Sequence, residues 1–404
     1  MRTVIVSDTH LASGGNADVL RNPAALERLL PAIEGADRLV LLGDVVEMRD
    51  RPLRAAFEIA LPILREIGEA AGEIEVVLVP GNHDHRFIEP WLEERRIAGE
   101  PAMGLEHSIE PPDWPGKQLA AAMPAASLRF SYPGIWLADG VYATHGHYLD
   151  RHLTIPTLER LGIAMVERVL GTPPGGPDPL APPGSAEPED PDEYERAAAP
   201  VLAVLYQLAQ GGPEAPRGAG SPTARVWRML QGGDTRISKL RGWLLGSVAL
   251  PGAVGVANRL GFGPVRPDLS ATAIARAGVE AMGEVLERLE IEAEHVIFGH
   301  THRRGPLAGE EAWTEQGTNL LNTGSWTFVS SLVGRHAASA AYWPGTIAVL
   351  EDGEPPRLEH LLDDVPRGEL AGGGAGSADA SGLAGQAEAT EAGAAPDGAE
   401  PEAG

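Results

Sequence analysis

Apolar residues along this chain gather in short runs, and five of those runs end alike, on Asp, His or Asn. Val4 to Val6 leads into Ser7-Asp8-Thr9-His10, Leu39 to Leu42 into Gly43-Asp44, and Val76 to Val79 into Pro80-Gly81-Asn82-His83-Asp84. Val141 to Thr144 leads into His145-Gly146-His147, and Val296 to Phe298 into Gly299-His300-Thr301-His302. Unbroken β-branched and aliphatic runs fit strands buried on both faces of a parallel sheet. Between the first two, Leu26, Leu29, Leu30 and Ile33 recur at helical spacing behind an Asn22-Pro23 start, a cap followed by proline in the first turn. A second helix is predicted from about Leu53 to Ala71, which Pro62 is expected to kink or divide. Strand, helix, strand, helix, strand is the layout of a mostly parallel α/β sheet, and such sheets carry their sites at the carboxyl ends of the strands.

Further along, Leu128 to Tyr132 and Ile135 to Leu137 read as strands, and Asp139-Gly140 as the hairpin turn into Val141. A segment of about 145 residues between Asp150 and Glu294 exceeds what the strand pattern requires. It opens on an expected helix, Ile155 to Leu170. Two Pro, Gly and acid-rich runs, Thr172 to Asp192 and Gly211 to Pro222, read as flexible loops. Ser270 is placed as the cap of a long helix running through Ala273, Val279, Met282 and Leu286. Leu320 to Ser325, Gly345 to Leu350 and Leu358 to Leu362 follow as strands. From about Arg367 the chain is Ala, Gly, Glu and Asp with almost no large apolar side chain, and disorder is expected.

Composition narrows the chemistry. The 404 residues include no Cys, so disulfides and thiolate sites are excluded and a metal would be held by His, Asp, Glu and Asn. A net charge of −25 argues against a bulk electrostatic hold on nucleic acid or anionic lipid, although metal ions would create a local positive site. Met1-Arg2-Thr3 runs directly into the first strand, with no leader pattern, so a cytoplasmic address is expected. Trp243 to Phe262 has the length of a bilayer crossing, but Pro251, its glycines and Arg259 count against one. A helical cap over the strand ends is the expected role of this insertion.

Asp8 and His10 alternate on extended backbone and so face one side, as two ligands of one ion must. Each block alone is a common polar turn. The ordered set, Asp8/His10, Gly43-Asp44, Gly81-Asn82-His83-Asp84, His145 and Gly299-His300-Thr301-His302, resembles the calcineurin-like metallophosphoesterase superfamily over residues 1 to about 150 and about 295 to 362. The resemblance implies an α/β fold, a four-layer α/β/β/α sandwich of two mixed sheets with a largely helical insertion. It divides the chain into a first catalytic part (1–150), the insertion (151–294), a second catalytic part (295–365) and an acidic Ala/Gly-rich tail (366–404).

The same resemblance implies two divalent metal ions, manganese first, with iron or zinc as alternatives. Asp8, His10 and His302 would hold one ion, Asn82, His145 and His300 the other, and Asp44 would bridge them. A hydroxide bridging the two ions would attack a phosphomonoester or phosphodiester. His83 would protonate the leaving alkoxide, oriented by Glu47 at a position where relatives carry Asp. Asp84 is read as a turn stabiliser. Arg86, His147 and Arg303 are candidates for substrate contact, with Arg304 beside them, and Asn322 and Ser325 are expected to border the site. Gly43-Asp44-Val45-Val46-Glu47 and the Gly-His-Thr-His-Arg ending are similar to the branch containing UDP-2,3-diacylglucosamine hydrolase, which has Arg where this chain has His83. A phosphorylated small molecule or lipid is the expected substrate, and peripheral membrane contact through the insertion is the alternative within enzymes. The competing class is a non-catalytic scaffold that keeps the fold.

Overall fold

A computed structural model describes residues 1–111, 113–154, 163, 188–211, 271–330, 332–333, 337 and 340–371. The expected helix at Ile155 to Leu170 apart from Ile163, the apolar stretch Trp243 to Phe262, both loop runs for the most part, Ser270 and the tail beyond Ala371 lie outside these residues. Among the described residues no helix is long and apolar enough to cross a membrane.

The strands are β1 (Arg2–Val6), β2 (Arg38–Leu41), β3 (Glu75–Leu78), β4 (Glu106–Ile109), β5 (Ser127–Ala138), β6 (Val141–Thr144), β7 (His295–Phe298), β8 (Thr314–Glu315), β9 (Thr318–Asn322), β10 (Thr346–Glu351) and β11 (Arg357–His360). The helices are α1 (Pro23–Glu34), α2 (Leu53–Ala71), α3 (Glu89–Ala98), α4 (Asp113–Ala122), α5 (Pro191–Gly211), α6 (Ala271–Arg288) and α7 (Arg367–Ala371). Asn22 caps α1, its side chain accepting a hydrogen bond from Ala24 N at 3.1 Å. Pro62 sits inside α2, which continues through it as one helix. The two strands expected around Tyr132 are the single twelve-residue β5.

The strands join in one hydrogen-bonded path, β11-β10-β1-β2-β3-β5-β6-β7-β9-β8, with β4 on β5. Where two mixed sheets were expected, the strands form two halves of one hydrogen-bonded path that share β5. The first residues of β5 pair parallel with β3 and its last residues pair antiparallel with β6. Alternation along each strand sorts the side chains into three apolar clusters. Val4, Val6, Leu39, Leu41, Val76 and Leu78 pack with the buried residues of α1 and α2. Their neighbours Ile5, Val40, Leu42, Val77 and Val79 pack instead with Ile135, Ala143 and Ile297 of the other half. Tyr142, Val296, Phe298 and Leu320 face Met282, Val285 and Leu286 of α6. Strands covered on both faces have no polar side, which is why they read as unbroken apolar runs.

Register decides what the strand ends do. Val6 pairs with Leu41 and Leu41 with Leu78, so the residues after β1, β2 and β3 leave the sheet level with one another. In the other half Ala143 pairs with Ile297, and the order carries on past the strands as Gly299 N donates to His145 O at 3.0 Å. The two sets meet where Trp326 N donates to Asp8 O at 3.0 Å.

Three pieces depart from the sequence pattern. β4 and α3 occupy a stretch that showed no regular period. In α3 only Leu92 and Arg95 are buried, too few to write a periodic face. Arg367 to Ala371, where disorder was expected to start, instead form α7, held by Leu370, which is buried in the α1 cluster, and by Asn22 Nδ2 donating to Glu369 O at 3.0 Å.

Candidate metal centre

The five polar strand ends converge. Three groups of side chains offer ligand atoms within 4.8 Å of one another: Asp8, His10 and His302; Asp44, His145 and His300; and His10, Asp44 and His83. Asp44 lies between the first two, its Oδ2 at 3.6 Å from His10 Nε2 and 3.3 Å from His145 Nε2. Asp8 Oδ1 lies 3.4 Å from His302 Nε2. Local sequence makes this approach feasible. A Cβ on Gly81 would meet His145 Nε2 at 2.7 Å and Asp44 Oδ1 closer still, and one on Gly299 would meet Ser7 Oγ at 2.6 Å and Asp8 Oδ2 closer still. The glycines in these motifs are therefore gaps into which carboxylates fit. Asp8 and His10 are not on the extended backbone expected of them: with Asp44, His300 and His302 they adopt positive φ, between 43° and 64°, a conformation costing a non-glycine residue about 1 kcal/mol or more. Such strain in one small volume marks a site that the rest of the fold enforces.

Each histidine keeps one ring nitrogen for the centre and anchors the other. His10 Nδ1 lies 3.1 Å from Glu47 Oε2, and His145 Nδ1 lies 3.0 Å from Leu42 O. His302 Nδ1 lies 3.3 Å from Thr327 Oγ1, and His300 Nε2 lies 3.0 Å from Asp150 Oδ1. Outer partners of this kind fix the tautomer and point the lone pair inward, as in metal-bound imidazoles. The inner atoms crowd one another: His10 Nε2 and His302 Nε2 are 2.9 Å apart. The end of the Asn82 amide carrying its oxygen lies 3.3 Å from His145 Nε2, and 3.2 Å from both His300 Nδ1 and Asp44 Oδ2. Turning the amide over would satisfy it without an ion, with its nitrogen donating to His300 and Asp44. With a cation among those atoms the inward oxygen would be available as a ligand. An all-oxygen and nitrogen donor set with acceptors turned on one another fits divalent ions.

Burial alone would raise the Asp8 carboxyl, but hydrogen bonds to His10 and His302 hold it well below the usual carboxylate range. Glu47 is held low likewise, against its burial, by the charge of His83 and the hydrogen bond to His10. His145 would be lowered by burial, yet Asp44 brings it up to about 9. Asp84, fully buried, is pushed up to about 6 by desolvation and by the charge of Asp44. It works as a staple: its carboxylate accepts from Gly81 N and Val45 N, both at 2.7 Å, and from Asp44 N at 3.3 Å.

His83 stands beside this group, its ring 4.6 Å from that of His10. Glu47 spans the distance despite its extra methylene. Its Oε2 is 2.6 Å from His83 Nδ1, and His83 N donates to Asp44 Oδ1 at 2.8 Å. His83 and Asn82 line one end of a cleft of about 590 Å³ that runs between α3 and α5. Arg86 lines the same cleft and pairs with Glu89 at 3.3 Å.

The other substrate candidates are placed elsewhere. His147 is buried, 3.1 Å from the Tyr132 hydroxyl and 3.9 Å from Glu195 Oε1. Arg303 donates to Glu310 at 2.5 Å and stacks over Trp313, and Arg304 is buried in a pair with Asp363 at 2.6 Å. Asn322 and Ser325 support the site from behind: Asn322 Nδ2 donates to Gly299 O at 2.7 Å, and Ser325 Oγ lies 3.0 Å from Thr327 Oγ1. Sequence reasoning missed Asp150, Thr327 and Glu195. Asp150 had a signal, an acid in the turn after His145. Thr327 and Glu195 had none, since only folding brings them near.

A family model described as calcineurin-like phosphoesterase matches residues 1–186. Over those residues the chain is similar to calcineurin-like phosphoesterases, and the similarity supports a hydrolase acting on phosphate ester bonds. That family implies divalent metal ions, and the Asp and His groups able to hold them are those described above. The match stops short of His300 and His302, which the fold supplies. A dimetal phosphatase from Danio rerio overlays with 14% identity and a TM-score of 0.30, covering 87% of this chain and 93% of that one. So loose an overlay carries no argument. No curated protein matches the chain.

Proposed function

We propose that the chain hydrolyses a phosphomonoester or phosphodiester at a pair of divalent ions, one held by Asp8, His10 and His302, the other by Asn82, His145 and His300, with Asp44 between them. The observation that carries this is the orientation of the four imidazoles, each anchored at its outer nitrogen so that the inner one faces Asp8, Asp44 or the Asn82 amide. Ions bound there would supply the positive charge that draws in phosphate oxygens and acidifies a water. Glu47 fixes the His83 tautomer through Nδ1, leaving Nε2 to give a proton to the departing oxygen. It braces His10 through the same oxygen, which couples the acid to the first group of ligands. Manganese remains our first choice of ion, with zinc or iron as alternatives. The three apolar clusters support reading the fold as helix, sheet half, sheet half and helix, with 1–150 and 295–365 as one catalytic unit and 151–294 inserted into it.

The test is to strip the protein of metal, add back manganese, zinc or magnesium, and follow hydrolysis of an activated monoester and an activated diester. Activity should return with the ions and reach background in Asp44→Asn. Full activity in Asp44→Asn would overturn the bridging role, and full activity in the stripped protein would overturn the reading as a whole.

A further inference from the structure

We propose that Glu195, carried by α5 of the insertion, is a positioning residue for the half of the centre built from Asn82 and His145. This rests on the di-metal reading above. Its carboxylate is buried, with Oε2 at 2.8 Å from His85 Nε2. Oε1 accepts from the Tyr148 hydroxyl at 2.8 Å and also from the Tyr132 hydroxyl. Tyr132 OH is in turn 3.1 Å from His147 Nε2. His85 lies two residues beyond His83, and His147 two beyond His145. One side chain thus ties the turn bearing Asn82 and His83 to the turn bearing His145, with β5 behind them. The outer contacts of His10 and His302 run to Glu47 and Thr327 instead.

Several further contacts dock α5, so Glu195 is not its sole attachment. Asp192 Oδ2 accepts from Met103 N at 2.6 Å, the Tyr194 ring stacks on Tyr148 with centroids 4.7 Å apart, and Gln210 Oε1 accepts from Leu53 N at 2.8 Å. What Glu195 adds is a fixed separation between two turns, set by donors that converge on one carboxylate. Without it those buried donors lose their acceptor, and Asn82 and His145 lose their common reference. The insertion, on this view, is part of the machinery that shapes the centre and not bulk packed on it.

The experiment uses the full-length, metal-stripped chain and titrates zinc into it by calorimetry, comparing wild type, Glu195→Gln and Thr327→Ala. Glu195→Gln, close in shape, should weaken one binding step about tenfold, the lower end of the effect of outer partners, and leave the other within twofold. Thr327→Ala should weaken the opposite step. Unchanged affinities in Glu195→Gln, or equal weakening of both steps, would overturn the proposal. Hydrogen exchange on the metal-free proteins separates this from failure of the di-metal reading. Glu195→Gln should raise exchange in 82–88 and 145–151 together and leave 8–13 as in wild type; no rise in either segment would overturn the proposal even if wild type binds no zinc.

Discussion

Adding one methyl group at Gly81 should disable the centre while leaving the fold in place. A Cβ there would lie 2.7 Å from His145 Nε2 and closer to Asp44 Oδ1, against about 3.5 Å or more for ordinary contact. Neither neighbour has room to retreat. His145 is fully buried and held by Leu42 O at 3.0 Å, and Asp44 is held by His83 N at 2.8 Å. One of them must shift by about 1 Å, and a misplacement of that size costs about 10²-fold in rate. Overpacking should lower stability by about 1–3 kcal/mol. Gly81 is not among the positive-φ residues, so steric crowding accounts for the effect without backbone strain. Gly104→Ala is the control: it is exposed, and the nearest atom to its Cβ would be His107 Nε2 at 3.7 Å. The assay measures kcat on an aryl phosphate, metal content by elemental analysis, and the melting temperature. A Gly81→Ala protein with full metal content and wild-type kcat would refute the reasoning.

Three other outcomes follow from the geometry. His83→Gln should slow alkyl phosphates by about 10²–10⁴-fold and activated aryl phosphates far less; equal slowing across a series of leaving groups would remove His83 as the acid. Glu47→Gln touches both His10 and His83, so metal affinity should fall about tenfold or more along with kcat, and loss of kcat at unchanged affinity would confine Glu47 to His83. Burial, only partly offset by Glu195, lowers His147 to about 4. The unfolded chain protonates it near 6.5, so stability is present above that pH and is lost as pH falls from about 6.5 to about 4, by roughly 3 kcal/mol over the window. Urea unfolding of the metal-free protein across this range should show the loss, and His147→Gln should flatten it; a slope identical to wild type would show that His147 does not carry the effect.

What the sequence determined by itself was the set of buried strands and the chemistry at their tips. Runs such as Val76 to Val79 have no polar face, and the residues that follow them leave the sheet at its carboxyl edge whatever the loops do. The glycines at 81 and 299 were legible as turn residues, but their steric purpose was not: only the fold shows that Asp44 and Asp8 occupy the space a side chain would fill. Periodicity carries no information about partners distant along the chain. His300 is braced by Asp150, His302 by Thr327, and His85 and His147 are drawn together by Glu195, none of which has a pattern to announce it. His147 illustrates the limit, since its place after His145 made it a candidate for substrate contact while tertiary packing turned it inward against Tyr132. Strand register and burial are decided by local apolar content; convergence of polar groups is decided by how the two halves of the sheet close on each other, and that closure is a property of the packed whole.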